Sequence, residues 1–364
     1  MSDDRVFNFS AGPSVMPESV LKRAQSELMS FGSSGMSVME MSHRGAAFQA
    51  IFAETKEKLR RVLRVPESHE ILFLQGGATL QFAAIPMNLI GDGAADYAVT
   101  GNFSAKAAKE ARKYGGVHIA ADVSESGYDR IPEQSELKPS ADAKYFYYCA
   151  NNTVYGTQWK YVPSVPAPLV CDMSSEILSQ PVDVAKYGLI YAGAQKNMAP
   201  AGLTVVILDR SLAGREKPYT PEVMSYRTLI ANDSMLNTPP CWCIYMMGLM
   251  LDWVEENGGV AGMEQKKRGR AARVYDFLDN STLFLPHAQR ASRSDMNVTF
   301  RTGNAALDSE FVAGAEKRGL LCLKGHKAAG GMRASLYNAM PDEGVTALID
   351  YMKEFEREHT GELR

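Results

Sequence analysis

The sequence predicts an α/β fold, with a large domain on a mainly parallel sheet of about seven strands flanked by helices, followed by a smaller α+β domain. The first observation is that short apolar runs alternate with helical patterns from about residue 45 to residue 210. The second is that this alternation stops after Pro239 and Pro240. In addition, 364 residues with 45% hydrophobic composition can fill two cores.

The apolar runs are predicted strands because each is short and continuous, as a strand buried on both faces requires. They comprise residues 71–74, 97–100, 116–120, 145–150, 168–172, 189–192 and 203–208. One helical pattern, at residues 46–63, precedes the first strand. Two more, at residues 79–89 and 104–114, lie between the strands that follow. Strands that alternate with helices are typical of parallel sheets.

The C-terminal part begins with a long apolar helix at residues 241–256, and a second helix continues to about residue 280. Strands at 296–301 and 332–336 then mix with helices at 308–318 and 343–357. We therefore place residues 1–256 in the large domain, with its N-terminal segment, and residues 257–364 in the small one. The second helix carries five basic residues that we predict to form a solvated face: Lys266, Lys267, Arg268, Arg270 and Arg273.

The composition excludes several classes of protein. A net charge of −3 gives no basic surface for nucleic acid. The N-terminus has no apolar run typical of a signal peptide. Residues 241–254 are too few to span a bilayer and include Asp252, so we expect no membrane association.

Five cysteines without a CxxC pair indicate reduced thiols and a cytoplasmic protein. We expect Cys149, Cys171 and Cys322 to be small core residues, because each lies in an apolar run. The six histidines have no metal-ligand spacing, so we expect no catalytic metal.

Polar residues that follow buried strands are the candidates for chemistry, because ligands of open α/β sheets bind beyond the carboxyl ends of the strands. Lys196 lies in a turn of small residues between two strands, where desolvation favours a nucleophilic amine. Asp172 ends a strand, where its carboxylate could keep the ring nitrogen of pyridoxal phosphate protonated. The alternatives are an ordinary loop lysine and a turn or N-cap aspartate.

Two further groups could bind anions. The turn QGGATLQ at residues 75–81 follows a strand and opens a helix, so its backbone N–H groups could hold a phosphate. It does not match the dinucleotide or P-loop patterns. Arginine and its cationic neighbours suit a small anionic substrate, although each is alternatively a surface charge. They are His43, Arg44, His326, Lys327 and Arg333.

Taken in order, the motifs NFSAGPSVMPESVL, GMSVMEMSHR, GGAT, DMSSEILSQPVDV, YAGAQKN, NTPP and GHKAAGGMRASLYNAM resemble the phosphoserine aminotransferase family. This family belongs to the class-V, fold-type I enzymes that use pyridoxal phosphate. The resemblance covers nearly the whole chain.

The resemblance implies a role for each matching residue. Lys196 is similar to the family's Schiff-base lysine, which also shuttles a proton, and Asp172 to the partner of the pyridine nitrogen. Gly77, Ala78 and Gln195 match the phosphate site, with Thr79 beside it, and Thr153 matches the residue that orients the ring. Asn237 and Thr238 match residues that reach the phosphate of the other subunit, which implies a homodimer. The substrate anions would be held by His43, Arg44, His326, Lys327 and Arg333, with Arg333 on the α-carboxylate.

Two positions depart from the family pattern. Phe103 stands where the family usually stacks a tryptophan on the cofactor ring, so stacking is retained with less contact area. Lys327 stands where arginine is frequent, so the positive charge is kept but the planar fork is lost.

The implied reaction is reversible amino transfer from L-glutamate to 3-phosphohydroxypyruvate, giving O-phospho-L-serine and 2-oxoglutarate; 4-phosphohydroxy-L-threonine is a possible further substrate.

One alternative is another class-V enzyme, such as a serine–glyoxylate-type aminotransferase. A cysteine desulfurase would need a mobile catalytic cysteine, and the cysteines here lie in predicted strands and a helix. An NAD(P)-dependent oxidoreductase would need the glycine fingerprint that the chain lacks. A purely structural or binding role would leave Lys196, Asp172 and the cationic residues unexplained.

Overall fold

A computed structural model describes residues 5–359, and its centre is a seven-stranded sheet. The strands in chain order are β1 (Phe7–Asn8), β2 (His69–Gln75), β3 (Ala94–Val99), β4 (Gly116–Asp122), β5 (Phe146–Cys149), β6 (Asn151–Asn152), β7 (Thr157–Gln158), β8 (Leu169–Asp172), β9 (Tyr187–Gly193), β10 (Leu203–Asp209), β11 (Leu285–Pro286), β12 (Asn297–Arg301), β13 (Leu320–Leu321) and β14 (Met332–Ser335). The large sheet has the order β2-β10-β9-β8-β5-β3-β4. Only β10 runs antiparallel to its neighbours, so the predicted mainly parallel sheet is confirmed.

Helices cover both faces of this sheet and build most of the C-terminal part. They are α1 (Glu18–Ser26), α2 (Ala46–Leu63), α3 (Gln81–Leu89), α4 (Asn102–Ala111), α5 (Tyr226–Ala231), α6 (Cys241–Glu256), α7 (Gly259–Asn280), α8 (Ala305–Lys317) and α9 (Asp342–His359). The predicted helix at 79–89 starts differently, because Ala78–Leu80 forms a 3₁₀ turn before α3.

Three apolar clusters form the core. One packs α2 and α6 against one face of the large sheet, and another packs α3 and α4 against the other face. The third lies around the small sheet β11-β12-β14 and includes Phe9 and Val15 from the start of the chain. The first strand also pairs with β13. The N-terminal segment therefore packs with the C-terminal cluster, while the division at residue 257 stays a prediction.

Two expectations about single side chains were wrong. The basic face of α7 is only partly solvated, because Lys267 and Arg270 are buried. Lys267 donates to Gln180 at 2.6 Å, and Arg270 donates to the carbonyls of Tyr337 and Met340, so polar groups of other segments cover this side of the helix. Cys322 is exposed, although Cys149 and Cys171 are buried as expected.

Two searches of residues 5–359 are relevant to binding. No helix in this range is both long and apolar enough to cross a bilayer. In the same range, no three histidine, cysteine or acidic side chains come together as metal ligands.

Candidate active site

The site lies where β8 and β9 end, at the carboxyl edge of the parallel strands. Lys196 follows β9 in the turn that leads into β10, and this turn is tied to the N-terminal segment. Ser14 donates its backbone N–H to the Gln195 carbonyl at 2.9 Å and its hydroxyl to the Lys196 carbonyl. The Lys196 ammonium donates to the Thr153 hydroxyl at 2.8 Å. The half-buried amine is thus held in a fixed position.

Asp172 is buried at the end of β8, and each of its two carboxylate oxygens accepts one hydrogen bond. The backbone N–H of Ser174 donates to Oδ1 at 2.9 Å, which is the geometry of an Asx turn. The hydroxyl of Tyr191 donates to Oδ2 at 3.0 Å. Asp172 and Tyr191 are cross-strand partners in the β8–β9 register, which explains their contact. The turn aspartate and the functional carboxylate are therefore compatible roles of one residue.

The glycine turn after β2 lies beside the end of β9, from which the Lys196 turn follows. Gly76 has φ +96°, a conformation that favours glycine, and a Cβ added at Gly77 would meet no atom within 4 Å. A Cβ added at Gly193 would lie 2.7 Å from Gln195 Oε1 and 3.4 Å from the Ala78 Cβ. The Gly77–Ala78 backbone and the Gln195 side chain thus converge, as a predicted phosphate site requires.

Phe103 lies near the start of α4 with its ring half-buried. The ring centroid is 5.8 Å from the Lys196 Nζ and also 5.8 Å from the Lys106 Nζ. The aromatic ring is therefore close to the amine, as the proposed stacking position requires.

Arg333 comes from β14 and reaches the same place from the C-terminal part of the chain. Its Nη1 donates to the Thr153 carbonyl at 3.3 Å, while its Nε is buried without a hydrogen-bond partner. Burial lowers the pKa of this guanidinium. A half-buried arginine whose Nε is buried and unpaired favours an anionic ligand, because a carboxylate would satisfy the remaining donors.

His326 extends the positive region beyond Arg333. Burial lowers the pKa of His326 from its ordinary value of 6.5, and the positive charges of Arg333, Lys106 and Lys327 lower it further. The His326 Nδ1 accepts from the backbone N–H of Ala328 at 3.1 Å. Lys106 and Lys327 are exposed, so this region remains open to solvent.

Within residues 5–359, four of the predicted site residues do not join the cluster around Lys196, Asp172 and Arg333. His43, Arg44, Asn237 and Thr238 make no hydrogen bond to Lys196, Asp172 or Arg333 there. Asn237, Thr238 and Arg44 are exposed, whereas His43 has a buried Nε2 without a partner. The Thr238 carbonyl accepts from the Gln75 side chain, just before the glycine turn.

Sequence reasoning missed two residues of the site. In the sequence Tyr191 is only one member of an apolar strand, and its contact with Asp172 depends on the register between β8 and β9. Lys106 is one helical turn from Phe103, so this spacing could have indicated it.

A class-V aminotransferase family model matches residues 6–348 of the chain. The chain belongs to the class-V aminotransferase family. It is 49% identical to a phosphoserine aminotransferase of Laribacter hongkongensis, over 97% of this chain and 99% of the relative. The solved phosphoserine aminotransferase of Bacillus circulans subsp. alkalophilus is 43% identical, with a TM-score of 0.96, 98% of this chain and 100% of that chain covered. The pyridoxal-phosphate-bound phosphoserine aminotransferase of Trichomonas vaginalis is 41% identical, with a TM-score of 0.93 and coverage of 96% and 100%.

These likenesses confirm the predicted resemblance and the prediction of a pyridoxal-phosphate-dependent transaminase. The residues present fit this cofactor. Asp172 offers a fixed anion, Lys196 an amine held by Thr153, and Arg333 a donor without a partner. The class-V aminotransferase therefore has groups suited to the ring nitrogen of the cofactor, to its carbonyl carbon and to an anionic substrate.

Proposed function

We propose that this aminotransferase transfers an amino group reversibly from L-glutamate to 3-phosphohydroxypyruvate, forming 2-oxoglutarate and O-phospho-L-serine. The observation that carries the proposal is the arrangement around Thr153. Its hydroxyl accepts from the Lys196 amine at 2.8 Å and its carbonyl accepts from Arg333 at 3.3 Å. An amino acid whose carboxylate binds Arg333 therefore has its α-carbon near the amine.

Each residue has a separate task in this reaction. Bound pyridoxal phosphate would supply an electron sink and carry the amino group between the two substrates. Lys196 would move the proton between the substrate's α-carbon and the C4′ carbon of the cofactor. Asp172 would hold a proton on the ring nitrogen, and Phe103 would stack on the ring. The backbone at Gly77 and Ala78, with Gln195, would bind the cofactor phosphate.

The second anion of each substrate distinguishes this proposal from other class-V reactions. L-Glutamate has a distal carboxylate and phosphoserine has a distal phosphate, so both need a cation beyond the α-carboxylate site. Lys327 and Lys106 supply this charge, and His326, whose pKa is lowered in the free protein, would gain a proton when the anion binds. A transaminase for serine or alanine would have no use for this second positive region.

The proposal includes a cytoplasmic homodimer whose sites are shared between subunits. Asn237 and Thr238 are exposed, which leaves them free to contact a second copy. We propose that they bind the cofactor phosphate of the partner, and that His43 and Arg44 join the cationic region that holds substrate.

The test is the absorption spectrum of the purified protein before and after O-phospho-L-serine is added. We expect a visible band of bound pyridoxal phosphate that disappears with phosphoserine or L-glutamate. L-Serine, which lacks the distal anion, is the control and should leave the band unchanged at the same concentration. An equal response to L-serine would reject the phosphorylated substrate and favour the serine–glyoxylate-type alternative. 4-Phosphohydroxy-L-threonine, tested in the same way, decides whether the site accepts this additional substrate.

A further inference from the structure

Behind Asp172, two buried tyrosine hydroxyls continue its hydrogen bonds into the core of the sheet. Tyr191 on β9 lies 3.0 Å from Asp172 Oδ2, and the Tyr147 hydroxyl on β5 lies 2.7 Å from the Tyr191 hydroxyl. Tyr147 and Tyr191 are at most 1% exposed, and Asp172 is 5% exposed. We call these three residues the tyrosine–aspartate chain.

The direction of both hydrogen bonds follows from counting protons. An ionised carboxylate can only accept, so the single hydroxyl proton of Tyr191 points to Asp172. Tyr191 then has no proton left for Tyr147, so Tyr147 must donate to Tyr191. Two hydroxyl dipoles therefore align toward the same carboxylate, and such aligned hydrogen bonds strengthen one another.

Both phenols keep their protons in this setting. Burial raises the pKa of Tyr191 well above its ordinary value, and the Asp172 charge raises it further. The same two causes raise the pKa of Tyr147. The chain is thus a fixed set of donors rather than a route for protons.

We propose that Tyr191, supported by Tyr147, is a positioning residue that keeps the Asp172 carboxylate correctly rotated for the ring nitrogen of pyridoxal phosphate. The inference rests on the proposed role of Asp172. Ser174 fixes one carboxylate oxygen through its backbone, and Tyr191 fixes the other through its side chain. Only Tyr191 can be removed by substitution without changing the backbone turn.

The structure offers a matched control in the same core. The Tyr97 and Tyr145 hydroxyls are also 2.7 Å apart and fully buried, but neither bonds to Asp172. Tyr145→Phe therefore removes a buried hydroxyl of the same kind that makes no hydrogen bond within the tyrosine–aspartate chain.

The experiment titrates the apoprotein of each variant with pyridoxal phosphate and measures the dissociation constant. We expect Tyr191→Phe to weaken binding about tenfold, since a hydrogen bond to a charged group is lost. Tyr147→Phe should act in the same direction but more weakly. Tyr145→Phe should bind as the wild type does, although it loses a comparable amount of stability.

A double-mutant cycle separates positioning from mere packing. If Tyr191 acts through Asp172, the Tyr191→Phe change should weaken binding in the wild type but leave the dissociation constant of Asp172→Ala unchanged. A packing effect would instead weaken binding by the same factor in both backgrounds.

Wild-type affinity in Tyr191→Phe, or an equal loss in Tyr145→Phe, would overturn the proposal. If Tyr191→Phe does not fold, Tyr147→Phe decides the question through the same double-mutant cycle. Asp172→Ala separates the two levels of inference. Weak binding in Asp172→Ala with normal binding in Tyr191→Phe would reject the tyrosine–aspartate chain and leave the proposed function intact, whereas normal binding in Asp172→Ala would overturn the role of Asp172 itself.

Discussion

Lys196 is the residue on which the proposed reaction depends most strongly. Because it both holds the cofactor and moves the proton, Lys196→Ala should lower turnover at least about a hundredfold, the usual contribution of a general base. The measurement is the steady-state rate with L-glutamate and 3-phosphohydroxypyruvate. Lys186→Ala, at an exposed lysine of a loop, is the control and should keep normal activity. Comparable rates in the two variants would remove Lys196 from the mechanism.

Arg333 should determine how well either substrate binds. Removing one partner of a buried charge pair costs roughly 2–5 kcal/mol, so Arg333→Ala should reduce kcat/KM about thirtyfold or more for both substrates. Arg301→Ala, at an exposed arginine that ends the neighbouring strand β12, should leave both values near those of the wild type. An effect confined to one substrate would argue against a site for the shared α-carboxylate.

His326 predicts a pH dependence of substrate binding. Its pKa is lowered in the free protein by burial and neighbouring cations, and a bound distal anion would raise it again. Binding therefore takes up a proton, so affinity for L-glutamate should fall as the pH rises through the interval between the two pKa values, which begins below 6.5. The half-saturating concentration of L-glutamate is measured across this pH range in the wild type and in His326→Gln. The ratio of the two concentrations should change with pH within the interval and become constant above it. A ratio that does not change with pH would exclude titration of His326.

At the scale of residues, the sequence predicted the groups that follow strands and missed those that depend on register. Lys196 and Asp172 could be found because they end or follow apolar runs. Tyr191 could not, because only the alignment of β8 with β9 shows that it lies beside Asp172. The arrangement of Arg333 and Thr153 joins residues 180 positions apart, and no local pattern contains such a contact.

Among the elements, the large-sheet strands were predictable because burial on both faces leaves continuous apolar runs. Their order was not, since β2 pairs with β10 from far along the chain. Helix α7 shows another limit. Its basic residues follow a helical period, but the period does not reveal which side meets the carbonyls of residues 337–340.

Arg270 on α7 should be important for stability rather than for chemistry. It donates to the carbonyls of Tyr337, Asn338 and Met340, and the Asn338 N–H in turn donates to Asn197, beside Lys196. Arg270→Ala should lower the free energy of unfolding by about 2–4 kcal/mol, because buried acceptors lose their donors. Chemical denaturation provides the measurement. Arg268→Ala on the same helix removes an exposed guanidinium and should change it by less than about 0.5 kcal/mol; equal losses would contradict the structural role of Arg270.

At the scale of the whole molecule, residues distant in sequence are joined in one site. The N-terminal segment supports the Lys196 turn through Ser14 and packs with the C-terminal cluster through Phe9. Arg333 from the small sheet β11-β12-β14 meets Thr153, which directly follows β6. In the proposed reaction both parts of the chain contact the substrate, so their relative position should affect catalysis, and domain-by-domain prediction from sequence cannot describe that position.

The proposed sharing of sites between two subunits can be tested by mixing two defective variants. If Asn237 serves the partner's cofactor, a dimer of one Lys196→Ala subunit and one Asn237→Ala subunit has one site with both changes and one with neither. Dissociating and reassociating equal amounts should restore about a quarter of the wild-type activity, since about half of the dimers pair unlike subunits and each regains one site of two. If Asn237 acts within its own subunit, every site carries one change and the mixture should show only the mean of the two separate activities. The Lys196→Ala variant mixed with Lys186→Ala is the control for activity lost during dissociation and reassociation, because it should give the simple average with or without exchange of subunits.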